Sequence, residues 1–174
     1  MEWPNVWAPW RIEYIRQLPR DGGAPACFLC DAWQRPEDDD ALLVLHRSPA
    51  AMILMNRFPY TSGHLMVVPA EHAGDLVDLT STVRCEIIEL IALAERLIQT
   101  VLNPQGLNIG FNIGRAAGAG LPGHVHAHLV PRWGGDTNFI SVVGQVRVIP
   151  QAMQETFEEL KAALPGVLED GNGE

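Results

Sequence analysis

Hydrophobic patterning divides the chain into short apolar runs and two longer amphipathic stretches. Residues 41–47 and 50–58 are rich in aliphatic side chains, and Ser48-Pro49 between them reads as a hairpin connection. Pro59-Tyr60-Thr61-Ser62-Gly63 is a turn cluster, and residues 64–69 (HLMVVP) predict a third strand. Thr80 is a good N-cap for a long helix, Ser81–Leu102, stopped at Asn103-Pro104. Val83, Ile87, Leu90, Ile91, Ala94, Leu97, Ile98 and Val101 mark its main apolar face. Ile88, Leu93 and Leu102 fall outside that stripe, so the helix is expected to be buried on more than one side, in a dimer interface or a broad monomer core. Residues 107–114 predict a fourth strand, 115–123 a glycine-rich loop and 125–132 a fifth strand. Residues 150–164 read as an amphipathic helix and 165–174 as a frayed acidic tail. Hairpins with two segregated helices predict an α+β fold, with a largely antiparallel sheet of about five strands, in one domain over residues 1–174.

Composition narrows the class. At 174 residues and 47% hydrophobic, the chain can bury a core without staples, and 19% charge excludes global disorder. No apolar run approaches about 18 residues, so no membrane partner is expected. Residues 1–10 hold Trp3, Pro4, Trp7 and Trp10 but no apolar signal region, which predicts a cytoplasmic protein. The arm over residues 1–25 is expected to be pinned by Trp7, Trp10 and Tyr14. The net charge of −9 argues against nucleic acid as a partner. That charge is local: residues 37–40, read as an acidic loop, carry −4, and the stretch from Glu155 onward carries −5. The remainder is balanced and its bases are all Arg, the side chain suited to bidentate phosphate contact.

The histidines carry the chemistry. His124, His126 and His128 alternate with Val125, Ala127 and Leu129. On a strand the three imidazoles share one face, about 6.6 Å apart per step. A core strand does not need three imidazoles, each of which costs desolvation unless partnered. The row suits a metal site, or an imidazole nucleophile flanked by phosphate-binding groups. Upstream, Arg115-Ala-Ala-Gly-Ala-Gly offers glycines that let backbone N–H groups approach an anion.

The run His124-Val-His-Ala-His-Leu-Val130 resembles the H-φ-H-φ-H-φ-φ signature of the histidine-triad (HIT) superfamily, where φ is apolar. Asn56-Arg-Phe-Pro-Tyr-Thr-Ser-Gly-His-Leu-Met-Val-Val-Pro is similar to its nucleoside-binding strand–turn–strand segment. Gly106-Leu-Asn-Ile-Gly-Phe-Asn-Ile-Gly precedes the triad as expected for the family. Two further segments, Val6-Trp-Ala-Pro-Trp-Arg and His128-Leu-Val-Pro-Arg-Trp-Gly-Gly-Asp, resemble a bacterial branch acting on diadenosine tetraphosphate (Ap4A).

The resemblance implies a homodimeric nucleotidyl hydrolase or transferase that cleaves dinucleoside polyphosphates. Its relatives also suggest nucleoside phosphoramidate hydrolysis, or nucleotide binding with little turnover, as alternatives. By motif position, His126 would be the nucleophile, and His128 would contact the phosphate and the leaving group. His124 would orient the site or bind metal, and His64 would be a fourth histidine near the substrate. Asn56 would hydrogen-bond the ribose. Asn112, with one extra residue allowed in the glycine loop, would touch the phosphate. The loop Gly118-Ala-Gly-Leu-Pro-Gly lacks the family's frequent Gln and hydroxyl, so backbone N–H groups at Gly118 and Gly120, or Arg115, would supply phosphate contacts. No catalytic metal is required by this mechanism. Trp133 would close the site, and Asp136, Thr137 and Asn138 read as a turn.

Cys27-Phe-Leu-Cys30 admits redox, metal-binding and incidental readings. It precedes Trp33 and the acidic loop, and a thioredoxin-like arrangement would want a helix there. Some members of the superfamily pair such a motif with a histidine after the V-x-P strand, here His72, and with the first triad histidine. That resemblance implies a structural zinc on Cys27, Cys30, His72 and His124. His46 reads as a surface or interface residue, and Cys85 as a partly buried helix residue with no assigned chemistry.

Overall fold

The computed structural model describes residues 27–136 and 151–171. The N-terminal arm with Trp7, Trp10 and Tyr14 lies outside them, as do Thr137 and Asn138. The elements run α1 (Phe28–Gln34), α2 (Asp39–Leu42), β1 (Val44–Arg47), β2 (Ala51–Met55), β3 (Leu65–Pro69), α3 (Ser81–Leu102), β4 (Gly106–Phe111), β5 (Ala127–Arg132) and α4 (Met153–Gly171). The expected α+β class holds. The five strands form one sheet in the order β1-β2-β3-β5-β4, with every neighbouring pair antiparallel. Among the described residues no helix is long and apolar enough to cross a membrane.

The central strands β2 and β3 are buried on both faces, and strand alternation sorts their side chains. Ala51, Ile53 and Met55 of β2, with Leu65 and Val67 of β3, face the large core under α3 and α4. Met52, Leu54, Met66 and Val68 face a smaller core with Leu29 and Ala32 of α1. Two-sided burial explains why β2 and β3 read as unbroken apolar runs. The register pairs Met66 of β3 with His128 of β5, so His128 shares the α1 side of the sheet with Met66.

Several element ends differ from expectation, each for a local reason. Residues 41–42 belong to α2, because the acidic stretch 37–40 folds as a 3₁₀ turn and a helical turn. Acids in a first turn suit the helix dipole, and Asp39 also pairs with Arg47. β2 ends at Met55 because Asn56 Oδ1 accepts the Phe58 N–H at 2.9 Å, forming a turn before Pro59. β4 stops at Phe111 and β5 begins at Ala127, where the chain is held by other bonds, including Val125 N–H to the Ala73 carbonyl at 2.7 Å. A helix begins within the CxxC, with Cys27 at its N-cap and Cys30 and Trp33 inside it.

α3 spans its expected residues; the Thr80 side chain accepts from Val83 N–H, and Asn103 at φ 43° ends the helix. Leu93 is buried and Leu102 packs on the large core, so the monomer absorbs two of the three apolar residues outside the stripe; Ile88 stays exposed. α4 passes through Pro165 to Gly171, replacing the expected frayed tail over 165–171. Leu160, Leu164 and Val167 are buried along one face, and their packing offsets the hydrogen bond lost at proline.

Candidate active site and metal centre

The triad does not act as one row. His126 and His128 line a cavity on the α1 side of the sheet, with Asn56, Asn112, Gly118 and Gly120. His124 leaves it and joins Cys27, Cys30 and His72. His126 lies just before β5 and His128 within it, and their ring centroids are 4.8 Å apart. β5 begins only at Ala127, which frees His124 to turn to the second cluster.

Fixed backbone donors and acceptors determine the imidazole tautomers. His126 Nδ1 lies 2.8 Å from the His124 carbonyl, which can only accept; Nδ1 therefore carries the proton and Nε2 presents a lone pair. His64 Nδ1 accepts from the Tyr60 backbone N–H at 3.2 Å. His64 Nε2 therefore donates to His128 Nδ1 at 3.0 Å, which leaves the remaining proton of His128 on Nε2. A nucleophilic nitrogen and an N–H donor thus sit side by side. Burial pushes both rings towards neutrality: His126 is lowered by desolvation, and His128 is lowered to about 4 by desolvation and then by the charge of His126. Neutrality is what an attacking imidazole needs.

Tyr60 was not anticipated. Its ring stacks on His64 at 4.7 Å, while its backbone orients the same imidazole. Its place in the Pro59-Tyr60 turn was the available signal. Phe28, Phe58, Met66 and Leu121 also line the cavity and were missed; residue type alone does not separate them from core. Arg115 is exposed in a 3₁₀ turn and is not among the lining residues. Trp133 does not line the cavity either; a backbone turn joins it to Asp136, and Asp136 pairs with the exposed Arg132 at 2.6 Å. His46 is half-buried in β1, where desolvation lowers its pKa, and Cys85 is exposed on α3 and not partly buried.

The second cluster has a donor set fit for a metal ion. One ligand atom from each of Cys27, Cys30, His72 and His124 lies within 4.8 Å of the others. His124 Nδ1 is 3.2 Å from Cys27 Sγ and 3.4 Å from Cys30 Sγ, and His72 Nδ1 is 3.2 Å from Cys30 Sγ. His124 Nε2 donates to the Pro69 carbonyl at 2.9 Å, so the lone pair on Nδ1 points at the sulfurs. Two sulfurs and two imidazoles are a familiar zinc set. Burial, then Cys27, pushes the Cys30 thiol up to about 11, and a bound cation would favour both thiolates.

A HIT domain model matches residues 37–135. The chain belongs to the HIT family. Its relatives include an AP-4-A phosphorylase of Mycobacterium tuberculosis, 39% identical over 155 residues that cover 87% of this chain and 80% of the relative. The asymmetrical bis(5'-nucleosyl)-tetraphosphatase of Schizosaccharomyces pombe is 30% identical over 51% of this chain and 48% of its own length. Among solved structures, a zinc-bound histidine triad family protein from Mycobacterium smegmatis superposes with a TM-score of 0.67 at 26% identity, covering 84% of this chain and 98% of the other. The HIT motif accounts for the sequence pattern that placed His126 and His128 beside each other.

Proposed function

We propose that this HIT protein cleaves dinucleoside polyphosphates such as Ap4A through a nucleotidyl-His126 intermediate. The carrying observation is the lone pair on His126 Nε2, fixed by the bond from Nδ1 to the His124 carbonyl and set beside the His128 N–H. In the first step Nε2 bonds to the α-phosphorus as the bond from phosphorus to the bridging oxygen breaks. The leaving polyphosphate takes that electron pair, and His128 Nε2–H donates a hydrogen bond to its oxygen. In the second step water or inorganic phosphate bonds to phosphorus, the P–N bond returns its pair to His126, and water, where it is the acceptor, gives up its proton to solvent. Asn56 would bind the ribose, and Asn112 with the Gly118 and Gly120 backbone the phosphates.

The deciding experiment incubates Ap4A with and without phosphate and separates the products. ADP formed only with phosphate means phosphorolysis. AMP and ATP formed without phosphate mean asymmetric hydrolysis. His126→Ala should lower turnover at least about a thousandfold while retaining AMP binding. No product from the wild-type chain, or turnover retained in the variant, rejects the reading.

We infer also a structural zinc on Cys27, Cys30, His72 and His124, which suits a reducing, cytoplasmic location. Metal analysis of protein purified without chelator should give one zinc per chain; less than about half an equivalent would falsify this. A homodimer through β4 completes the proposal.

A further inference from the structure

We propose that metal occupancy at the Cys27–Cys30 cluster sets nucleotide affinity through Phe28, one of the two residues between the cysteines. This rests on the nucleotide reading of the cavity. Phe28 is 47% exposed although its neighbour Leu29 is fully buried, and it lines the same cavity as His126 and His128. Together with Phe58, Tyr60, Met66 and Leu121 it gives the cavity an apolar and aromatic share of its lining, suited to a purine face.

The two ends of α1 are held differently. At its C-terminal end, Arg47 donates to the Ala32 carbonyl at 2.8 Å and to the Trp33 carbonyl at 3.1 Å. At its N-terminal end no side chain caps the helix. What faces the rest of the fold there is the pair of sulfurs, turned to His124 and His72. A cation joining these four groups fixes the first turn of α1, and Phe28 with it. Without the cation the described contacts left to that turn are the burial of Leu29, the Asp31 N–H bond to the Cys27 carbonyl at 3.0 Å and single sulfur–imidazole contacts, and a seven-residue helix has little cooperativity of its own.

The triad is braced without the metal. His124 bonds the Pro69 carbonyl through Nε2, and its backbone N–H bonds the Leu121 carbonyl. Metal loss should therefore reach the ligand through the apolar wall before it reaches the nucleophile. Because coupling is reciprocal, whatever the metal adds to nucleotide affinity the nucleotide must add to metal affinity.

Zinc affinity is measured by chelator competition on the full-length chain, with and without saturating AMP. AMP should tighten zinc about fivefold to tenfold. Calorimetry on loaded and metal-stripped protein should return the same factor for AMP. Ribose 5-phosphate, which offers no base to Phe28, should leave zinc affinity unchanged. Phe28→Ala should keep one zinc and lose the coupling, whereas Phe28→Tyr should retain it. Where the stripped protein unfolds, any ligand of the folded state tightens zinc by mass action, so the ribose 5-phosphate and Phe28→Ala measurements separate the Phe28 route from that effect. AMP binding with an unchanged zinc affinity, or coupling that persists in Phe28→Ala, overturns this inference and leaves the nucleotide reading intact. Failure of the loaded wild-type chain to bind AMP overturns both.

Discussion

At the scale of the residue, two backbone groups decide the chemistry of the site. The His124 carbonyl and the Tyr60 N–H assign every proton on His126, His64 and His128. Acid should undo this arrangement in a definite direction. Folded His128 titrates near 4, against an ordinary value of 6.5. Below 6.5 the unfolded chain takes up a proton that the folded chain refuses, so stability present above 6.5 is lost as pH falls towards 4. Denaturant titrations between pH 4.5 and 7.5 should show this loss. His128→Gln, which can still accept from His64, should flatten the slope by at most one proton; an unchanged slope would sink the account. The alternation of His124, His126 and His128 was legible in the sequence because period-two spacing survives folding. Their division between two clusters was legible only through the family resemblance, which set His124 with Cys27, Cys30 and His72; spacing alone hides it, since it depends on where β5 starts and on which carbonyls lie nearby. Tyr60 was hidden for a similar reason, because half of its contribution is a main-chain N–H.

At the scale of the element, the turn over residues 59–63 carries His64 into place. Gly63 adopts φ +71°, and a Cβ there would lie 2.1 Å from Leu102 Cδ1. Leu102 can swing aside, but the left-handed backbone remains unfavourable for an L-residue, at about 1–2 kcal/mol. Gly63→Ala should lower stability by at least that amount in urea denaturation, and loss of less than about 0.5 kcal/mol would show that the turn relaxes freely. α3 was fully readable because its cap, apolar stripe and terminator agree. α1 was not, because seven residues give too little periodicity and the run begins at a cysteine with no capping side chain. α4 misled at Pro165, where burial of Leu164 and Val167 outweighs the usual reading of proline as a stop.

At the scale of the molecule, the sheet has an edge that invites a second copy. Among the described residues β4 pairs only with β5, and no described strand covers its other side. Residues 106–113 contain no charge and no proline, the usual guards of an exposed edge. Leu107 and Phe111 pack on the core, whereas Ile109 on the same face is 42% exposed and Ile113 beyond the strand 41%. An edge of this kind suits an isologous contact, β4 against β4 across a two-fold axis, extending the sheet through both protomers. The same contact would lie close to Asn112, tying the phosphate side of each cavity to the partner. Sedimentation velocity at tens of micromolar should give a dimer. Ile109→Lys, which places a charge on the face while sparing the internal ladder, should shift the equilibrium towards monomer at least about tenfold. A monomeric wild-type chain at that concentration, or a variant as dimeric as the wild type, would move the interface elsewhere, with exposed Ile88 on α3 the next surface to test.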